Sequence, residues 1–127
     1  MPVATFNLRK GRSRESKRKM ADAVQAAIVA NLGIPDEDRY QLFREYENDD
    51  YIHTPGYLGL SYSPQLLILE VTFIQGRPDE TKKALLRDIN QRLVATDEIS
   101  ADDIFIVIHE IGRANISFGR GLAQRAE

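Results

Sequence analysis

The sequence contains no cysteine, which excludes disulfide bonds and thiolate metal sites. The two histidines, His53 and His109, have no second ligand at metal-site spacing, so we expect no bound metal ion. No apolar run is long enough to cross a bilayer and the N-terminus lacks a signal-peptide pattern, which together predict a cytoplasmic protein. A formal net charge of −2 supplies no long-range field that would attract nucleic acid or an anionic membrane.

What the chain does contain is an internal repeat. Residues 11–46 and 76–111 align without a gap at a constant offset of 65, which matches Gly11-Arg12 to Gly76-Arg77 and Asp38 to Asp103. Such a repeat indicates one supersecondary unit used twice. We therefore interpret residues 1–127 as a single domain, with repeats at about 2–46 and 65–111 and a C-terminal tail at 112–127.

Each repeat has the pattern strand, helix, strand. Alternating apolar residues predict strands at residues 2–8, 39–46, 65–74 and 103–110. Apolar residues at helical spacing predict one helix from the N-cap Ser13 to Gly33 and a second that begins near Pro78. The apolar run within residues 103–110 predicts a strand covered on both faces, and residues 47–64 have the composition of a loop.

The predicted fold class is α+β. Each β-α-β unit is long enough for a right-handed crossover, and two units give a four-stranded mixed sheet with both helices on one face. No helix remains for the other face, although that face also carries apolar side chains. Its exposure predicts a homo-oligomer.

Pro2 is the first candidate catalytic residue, because Met1 before a small residue is normally removed and proline then becomes the N-terminus. Its nitrogen would then be a secondary amine with a free lone pair. Burial and a nearby cation both disfavour the ammonium form, which suits proton abstraction next to a carbonyl. The other interpretation is a proline at position two without any catalytic role.

Two further residues are candidates for the same pocket. Arg77 follows the third predicted strand at the start of a helix, where a guanidinium and free N–H groups favour a bound carboxylate. Asp38 precedes the second predicted strand and is suited to orient a water or polarise a carbonyl. Arg12 and Asp103 hold the equivalent positions in the other repeat, so a purely structural role also remains open for Arg77 and Asp38. The basic stretch at residues 9–19 has no interleaved aromatics, so we interpret it as a solvated helix face.

Four motifs resemble those of the tautomerase superfamily, and within it the branch like malonate semialdehyde decarboxylase. They are Met1-Pro2, residues 33–41 with Gly33-Ile34-Pro35 and Asp38-Arg39-Tyr40-Gln41, residues 76–83 beginning Gly76-Arg77-Pro78, and Ile116-Ser117-Phe118-Gly119-Arg120-Gly121. The resemblance covers nearly the whole chain. It implies a homotrimer with pockets between subunits, a small carboxylate substrate, an N-terminal proline as the key group and no cofactor.

Carried over residue by residue, the resemblance makes Pro2 and Asp38 catalytic and assigns Arg77, Tyr40, Ile116 and Phe118 to substrate binding. The decarboxylase pattern has two arginines flanking a proline after the third strand, whereas here a single Arg77 stands between Gly76 and Pro78. An aromatic residue of the family's tail is replaced here by Ile116.

These differences favour a cofactor-independent keto–enol tautomerase that acts on small 2-keto or 2-hydroxydienoic acids with neutral Pro2 as the base. The alternative is a decarboxylase or hydratase that uses protonated Pro2. A second alternative, from another class, is a non-catalytic trimeric ligand-binding protein. RNA binding is disfavoured, because the aromatic signature of ribonucleoprotein domains is missing from both predicted central strands.

Overall fold

The secondary structure follows the repeat. A computed structural model describes all residues, 1–127. Its elements are β1 (Val3–Arg9), α1 (Arg14–Leu32), β2 (Tyr40–Tyr46), β3 (Gly56–Tyr57), β4 (Leu60–Ser61), β5 (Leu67–Ile74), α2 (Asp79–Val94) and β6 (Ile104–Ile111). Single 3₁₀ turns occupy Asn48–Asp50, Ala101–Asp103 and Arg113–Asn115. The four predicted strands and two predicted helices are therefore all present, with ends shifted by one or two residues.

The four long strands form one mixed sheet in the order β2-β1-β5-β6. β1 is parallel to β2, β5 is parallel to β6, and the two pairs meet through the antiparallel contact of β1 with β5. Val3 lies opposite Tyr40 in one repeat and Ile68 lies opposite Phe105 in the other, which keeps the offset of 65 on both strands. The predicted architecture is confirmed.

Local capping sets the ends of both helices. The Ser13 hydroxyl oxygen accepts a hydrogen bond from the Ser16 N–H at 3.0 Å, as expected of an N-cap. Gly33 ends α1 in the left-handed conformation with φ of +67°, and its N–H donates to the Val29 carbonyl. Pro78 is the N-cap residue of α2 and has extended backbone, so the helix proper begins one residue later.

The hydrophobic core lies between the sheet and the two helices. Sixteen buried residues form one cluster, to which β1 and β5 contribute alternate residues such as Phe6 and Phe73. The predicted stripes of the helices face it, with Met20 and Ile28 from α1 and Ile89 from α2 at most 1% exposed. The core therefore fixes both helices on one face of the sheet.

The opposite face of the sheet is not covered within one chain. Tyr40 and Leu42 on β2 are 50% and 52% exposed, and Phe105 on β6 is 41% exposed. The expectation that residues 103–110 are covered on both faces is therefore wrong for the single chain. β6 is an edge strand, and only its alternate residues Ile104, Ile106 and Ile108 pack against the core.

The connection between the repeats carries more structure than a loop. After the turn Asn48–Asp50, β3 and β4 form a short antiparallel hairpin. Arg9 holds this connection to the end of β1, because its guanidinium donates to the carbonyl oxygens of Tyr51 at 2.5 Å and Pro64 at 2.9 Å.

Neither helix combines the length and apolar content that a membrane crossing requires.

Candidate functional site

A cavity of about 370 Å³ lies at the sheet edge where β1 begins and β5 ends. The antiparallel contact of these strands brings the N-terminus of the first repeat beside the start of α2 in the second. Pro2, Asp38 and Arg77, which are distant in sequence, therefore line one cavity, together with Met1, Leu32, Gly33, Ile34, Pro35, Phe73, Ile74, Gln75, Arg113 and Arg125. We call it the N-terminal cavity.

The chain terminus is paired with Asp38. The ammonium group of Met1 lies 2.5 Å from Asp38 Oδ2, and the Met1 side chain is only 5% exposed. Pro2 is buried directly behind it. The nitrogens of consecutive residues are roughly 3 to 4 Å apart, so the Pro2 nitrogen lies within about 6 to 7 Å of the same carboxylate oxygen.

Gln25 fixes the segment that carries Asp38. This side chain lies on the buried face of α1, is 3% exposed, and its Nε2 donates to the carbonyl oxygens of Asp36 and Asp38, both at 3.0 Å. Gln25 is not among the residues predicted from the sequence. A signal was present, because Gln25 is a polar residue on the apolar stripe that includes Val24 and Ile28.

Three guanidinium groups border the N-terminal cavity without a carboxylate partner. Arg77 lies over the ring of Phe73, 5.4 Å from its centroid, and donates to the Leu32 carbonyl at 3.4 Å. Arg113 donates to the main-chain carbonyl of Arg125 at 3.4 Å. Asp38 is the only acidic side chain of the lining, and it already faces the terminal ammonium. The cavity is therefore suited to bind an anion.

Of these three arginines, only Arg77 is among the residues predicted from the sequence. Arg113 could have been found from topology, since β6 runs parallel to β5 and the residues after both strands lie at the same sheet edge. Arg125 belongs to the irregular tail, where no periodic pattern indicates its position.

A second cavity of about 360 Å³ adjoins the first, and we call it the tail cavity. Its lining consists of Met1, Asp38, Tyr40, Phe118, Gln124 and Arg125. The tail is held together by Gln124, whose amide oxygen accepts from the Phe118 N–H and whose Nε2 donates to the Gly119 carbonyl, both at 3.1 Å. Tyr40 and Phe118, two of the predicted binding residues, therefore lie beside Asp38.

Ile116 is the one predicted site residue that lines neither cavity. The chain leaves the cavity edge at the turn Arg113–Asn115 and returns to it only at Phe118. The assignment of Ile116 to substrate binding stays a prediction.

The two histidines lie outside both cavities. His109 Nε2 is 3.1 Å from Glu70 Oε1 on the uncovered face, and His53 Nε2 is 3.1 Å from the Arg9 guanidinium in the connection. Hydrogen bonds from Asn7 and His109 lower the pKa of Glu70. The structure contains no group of three or more His, Asp or Glu side chains placed to hold a metal ion.

Comparison with known proteins decides the family. A family model described as "Tautomerase enzyme" matches residues 38–119, and a second model of the same description matches residues 2–60. The chain belongs to the tautomerase family. The resemblance recognised in the sequence motifs is thereby confirmed.

Relatives of this tautomerase family member extend over its whole length. Probable tautomerase YusQ of Bacillus subtilis (strain 168) is 31% identical over 127 residues, which is 100% of both chains. The crystal structure of FG41 malonate semialdehyde decarboxylase inhibited by 3-bromopropiolate is 36% identical, has a TM-score of 0.88, and covers 98% of this chain and 94% of that chain. A fused 4-OT described as a symmetric trimer is 25% identical, with a TM-score of 0.78 and 98% of each chain covered.

The second repeat contains a closed counterpart of the candidate site. Asp103, the mate of Asp38, is 3% exposed and accepts hydrogen bonds from the Ser63 N–H and hydroxyl and from the Ser100 hydroxyl. Arg12, the mate of Arg77, donates to the Glu98 carbonyl at 2.9 Å, and burial lowers its pKa. The connection between the repeats thus fills the position that the N-terminus occupies in the first repeat.

Proposed function

We propose that the protein is a cofactor-independent keto–enol tautomerase of small 2-keto or 2-hydroxydienoic acids, with the amine of Pro2 as its base. The observation that carries the proposal is the shared N-terminal cavity, which joins the buried Pro2, the carboxylate of Asp38 and the unpaired guanidinium of Arg77. These are the groups that the reaction needs: a base, a group that orients it and a binding site for the substrate carboxylate.

The proposed reaction moves a proton from an oxygen to a carbon. Once Met1 is removed, neutral Pro2 takes the proton of the 2-hydroxyl group of the enol, and the resulting ammonium gives a proton to a carbon of the same molecule as the oxygen becomes the carbonyl. Arg77 binds the substrate carboxylate and holds the reacting carbon near the amine. Burial and the three guanidinium groups disfavour the ammonium form of Pro2, whereas Asp38 favours it.

The test compares processed wild type with Pro2→Ala, after intact mass has shown that Met1 is absent. The enol of phenylpyruvate and a 2-hydroxydienoate should be ketonised by the wild type, and Pro2→Ala should lose this activity because the secondary amine is gone. Pro55→Ala is the matched control, since Pro55 lies in the connection and lines neither cavity. Equal activity of Pro2→Ala and wild type would exclude the mechanism.

A second candidate is decarboxylation or hydration by protonated Pro2. It is favoured by the presence of Asp38 in the same cavity as Pro2, because a nearby carboxylate stabilises the cationic form of an amine. Arg77 is the single arginine between Gly76 and Pro78, but Arg113 and Arg125 add two further guanidinium groups at the same cavity. FG41 malonate semialdehyde decarboxylase, to which the chain is similar, carries this activity in its name.

The pH dependence of activity separates the two candidates. A base must be neutral, so tautomerase activity should rise with pH through the titration of Pro2, whereas decarboxylation by the ammonium form should fall. Assays of a 2-keto acid and of a β-keto acid over the same pH range give both profiles from one preparation.

The assembly we propose is a homotrimer. The exposed Tyr40, Leu42 and Phe105 on the uncovered sheet face support it, as does the likeness to a fused 4-OT described as a trimer. Light scattering should give three times the 14.4 kDa of one chain. Leu42→Lys should lower that mass, and a monomeric wild type would contradict the proposal.

A further inference from the structure

Arg9 joins the end of β1 to both ends of the connection between the repeats. Its Nη1 donates to the Pro64 carbonyl and its Nη2 to the Tyr51 carbonyl. The guanidinium carbon also lies 4.8 Å from the centroid of the Tyr51 ring, and Tyr51 is only 7% exposed. The third polar partner of this guanidinium is His53, whose Nε2 lies 3.1 Å from Arg9 Nη1.

The two partners of the His53 ring fix its protonation. A guanidinium group carries only hydrogen-bond donors, so Nε2 has to accept from Arg9 with its lone pair. Nδ1 lies 2.8 Å from the Thr54 carbonyl oxygen, which can only accept, so Nδ1 carries the proton. The geometry therefore requires a neutral ring. A proton on Nε2 would place an N–H opposite the N–H of Arg9 and add a positive charge beside a guanidinium.

No anionic group faces the His53 ring. Its other neighbours are the rings of Tyr51 and Tyr62, which it meets edge to face at centroid distances of 5.8 and 6.0 Å. Burial raises the pKa of Tyr51 to about 12, so this phenol is neutral at physiological pH. Neither Arg9 nor His53 belongs to an ion pair. The other histidine of the chain, His109, differs because it lies beside the carboxylate of Glu70.

The segment that Arg9 holds also closes the second repeat. Pro64, which accepts from Arg9, directly follows Ser63, whose N–H donates to Asp103. The Ser61 N–H donates to Asp102 Oδ2 at 2.9 Å. Loss of the contacts of Arg9 would therefore loosen the segment that covers the aspartate of the second repeat.

We propose that Arg9 and His53 form a pH-sensitive clamp, which is closed while the imidazole is neutral and opens when the imidazole takes up a proton. Opening frees residues 51–64 from β1 and uncovers Asp103. Imidazole side chains ordinarily titrate near pH 6.5, so the clamp works within the physiological range. The inference concerns the connection alone and does not depend on the proposed catalytic function.

The experiment measures amide hydrogen exchange of Ser61 and Ser63 by NMR, since both N–H groups donate to aspartates that the closed connection covers. Protection is compared at about pH 5 and about pH 7.5, after correction for intrinsic exchange, because carboxylates are still largely ionised at the lower value. Wild-type protection should be roughly tenfold lower at the acid pH, which corresponds to the loss of one charge-assisted hydrogen bond.

Two substitutions of His53 separate the acceptor from the titration. His53→Gln keeps an oxygen that can accept from Arg9 and an N–H that can donate to Thr54, but it does not titrate. Its protection should be equal at the two pH values. His53→Leu has no acceptor and should show low protection at both.

His109→Gln is the matched control, because it removes the only other imidazole of the chain and lies outside the connection. It should retain the wild-type response to pH. Equal protection of the wild type at both pH values, or an unchanged response in His53→Gln, would overturn the inference. Imidazole ¹⁵N spectra that place the proton of neutral His53 on Nε2 would overturn it as well.

Discussion

The two aspartates at equivalent positions of the repeat should respond in opposite ways to the same substitution. Asp38 faces the terminal amine and is 23% exposed, whereas Asp103 is 3% exposed and bound by the connection. Asp38→Asn and Asp103→Asn each remove one charge and keep the size of the side chain. We expect the first to reduce activity and the second to reduce stability.

The hydrogen bonds of Asp103 set the size of the stability effect. Its carboxylate accepts from the Ser63 N–H at 2.8 Å, from the Ser63 hydroxyl at 2.5 Å and from the Ser100 hydroxyl at 3.2 Å. Asparagine keeps one acceptor oxygen, so the variant loses the charge and at least one buried acceptor. We expect a loss of about 2 to 4 kcal/mol in the free energy of unfolding, which lowers Tm by roughly 8 to 15 °C.

For Asp38→Asn we expect a small loss in the free energy of unfolding and a large loss of activity. A partly exposed ion pair contributes about 1 kcal/mol or less. If the carboxylate orients the Pro2 amine, Asp38→Asn should lower kcat roughly a hundredfold. Urea unfolding followed by circular dichroism and the ketonisation assay measure both quantities on both variants.

Two results would contradict these expectations. One is an Asp103→Asn protein that is folded but as inactive as Asp38→Asn, since Asp103 lies outside the cavity. The other is a destabilisation of Asp38→Asn as large as that of Asp103→Asn, which would make Asp38 another structural residue of the loop.

Three other predictions concern the groups around the site and the core. Tyr51→Phe should lower the free energy of unfolding by about 1 to 3 kcal/mol in urea, because the Tyr51 hydroxyl lies 2.9 Å from the carbonyl oxygens of both Asn7 and Leu66 and shares its single proton between them. Burial raises the pKa of Tyr51 to about 12, so the folded protein holds this proton more tightly than the unfolded chain does. The Tm of the wild type should therefore fall as the pH rises from about 10 towards about 12. The Tm of Tyr51→Phe should fall less over the same range. Gln25→Leu should lower kcat more than it lowers Tm, since it frees the loop that carries Asp38; unchanged kcat would show that the loop needs no such anchor. Ser13→Ala should cost about 1 kcal/mol in thermal unfolding without any change in KM, because it removes only a helix cap.

The fold was predictable because the repeat and the local signals agree. Ser13 caps the start of α1 and Gly33 caps its end, which are also the limits of the apolar stripe. The offset of 65 predicts two equal units. The meeting of Pro2 with Arg77 followed from the antiparallel relation of those units. These features depend on short-range patterns or on symmetry, which a sequence displays directly.

Other features depend on contacts between segments that share no pattern. Strands β3 and β4 have two residues each, too few for alternation to be recognised within the connection. Arg125 reaches the cavity through a tail whose path is set by single hydrogen bonds, such as that from Arg113. Phe105 belongs to a run that resembles a buried strand, but strand order puts β6 at the edge.

One chain of two repeats has only one terminal amine, and in the second repeat Ser63 of the connection binds the aspartate that corresponds to Asp38. In the second half the nitrogen that corresponds to Pro2 belongs to Leu67, and it is an ordinary amide because the backbone runs on without interruption from Leu66. When two such units are joined in one chain, only the first unit therefore has a free amine beside its aspartate. A second free amine would require a chain break before residue 67, together with a substitution of Ser63 that removes its hydrogen bonds to Asp103.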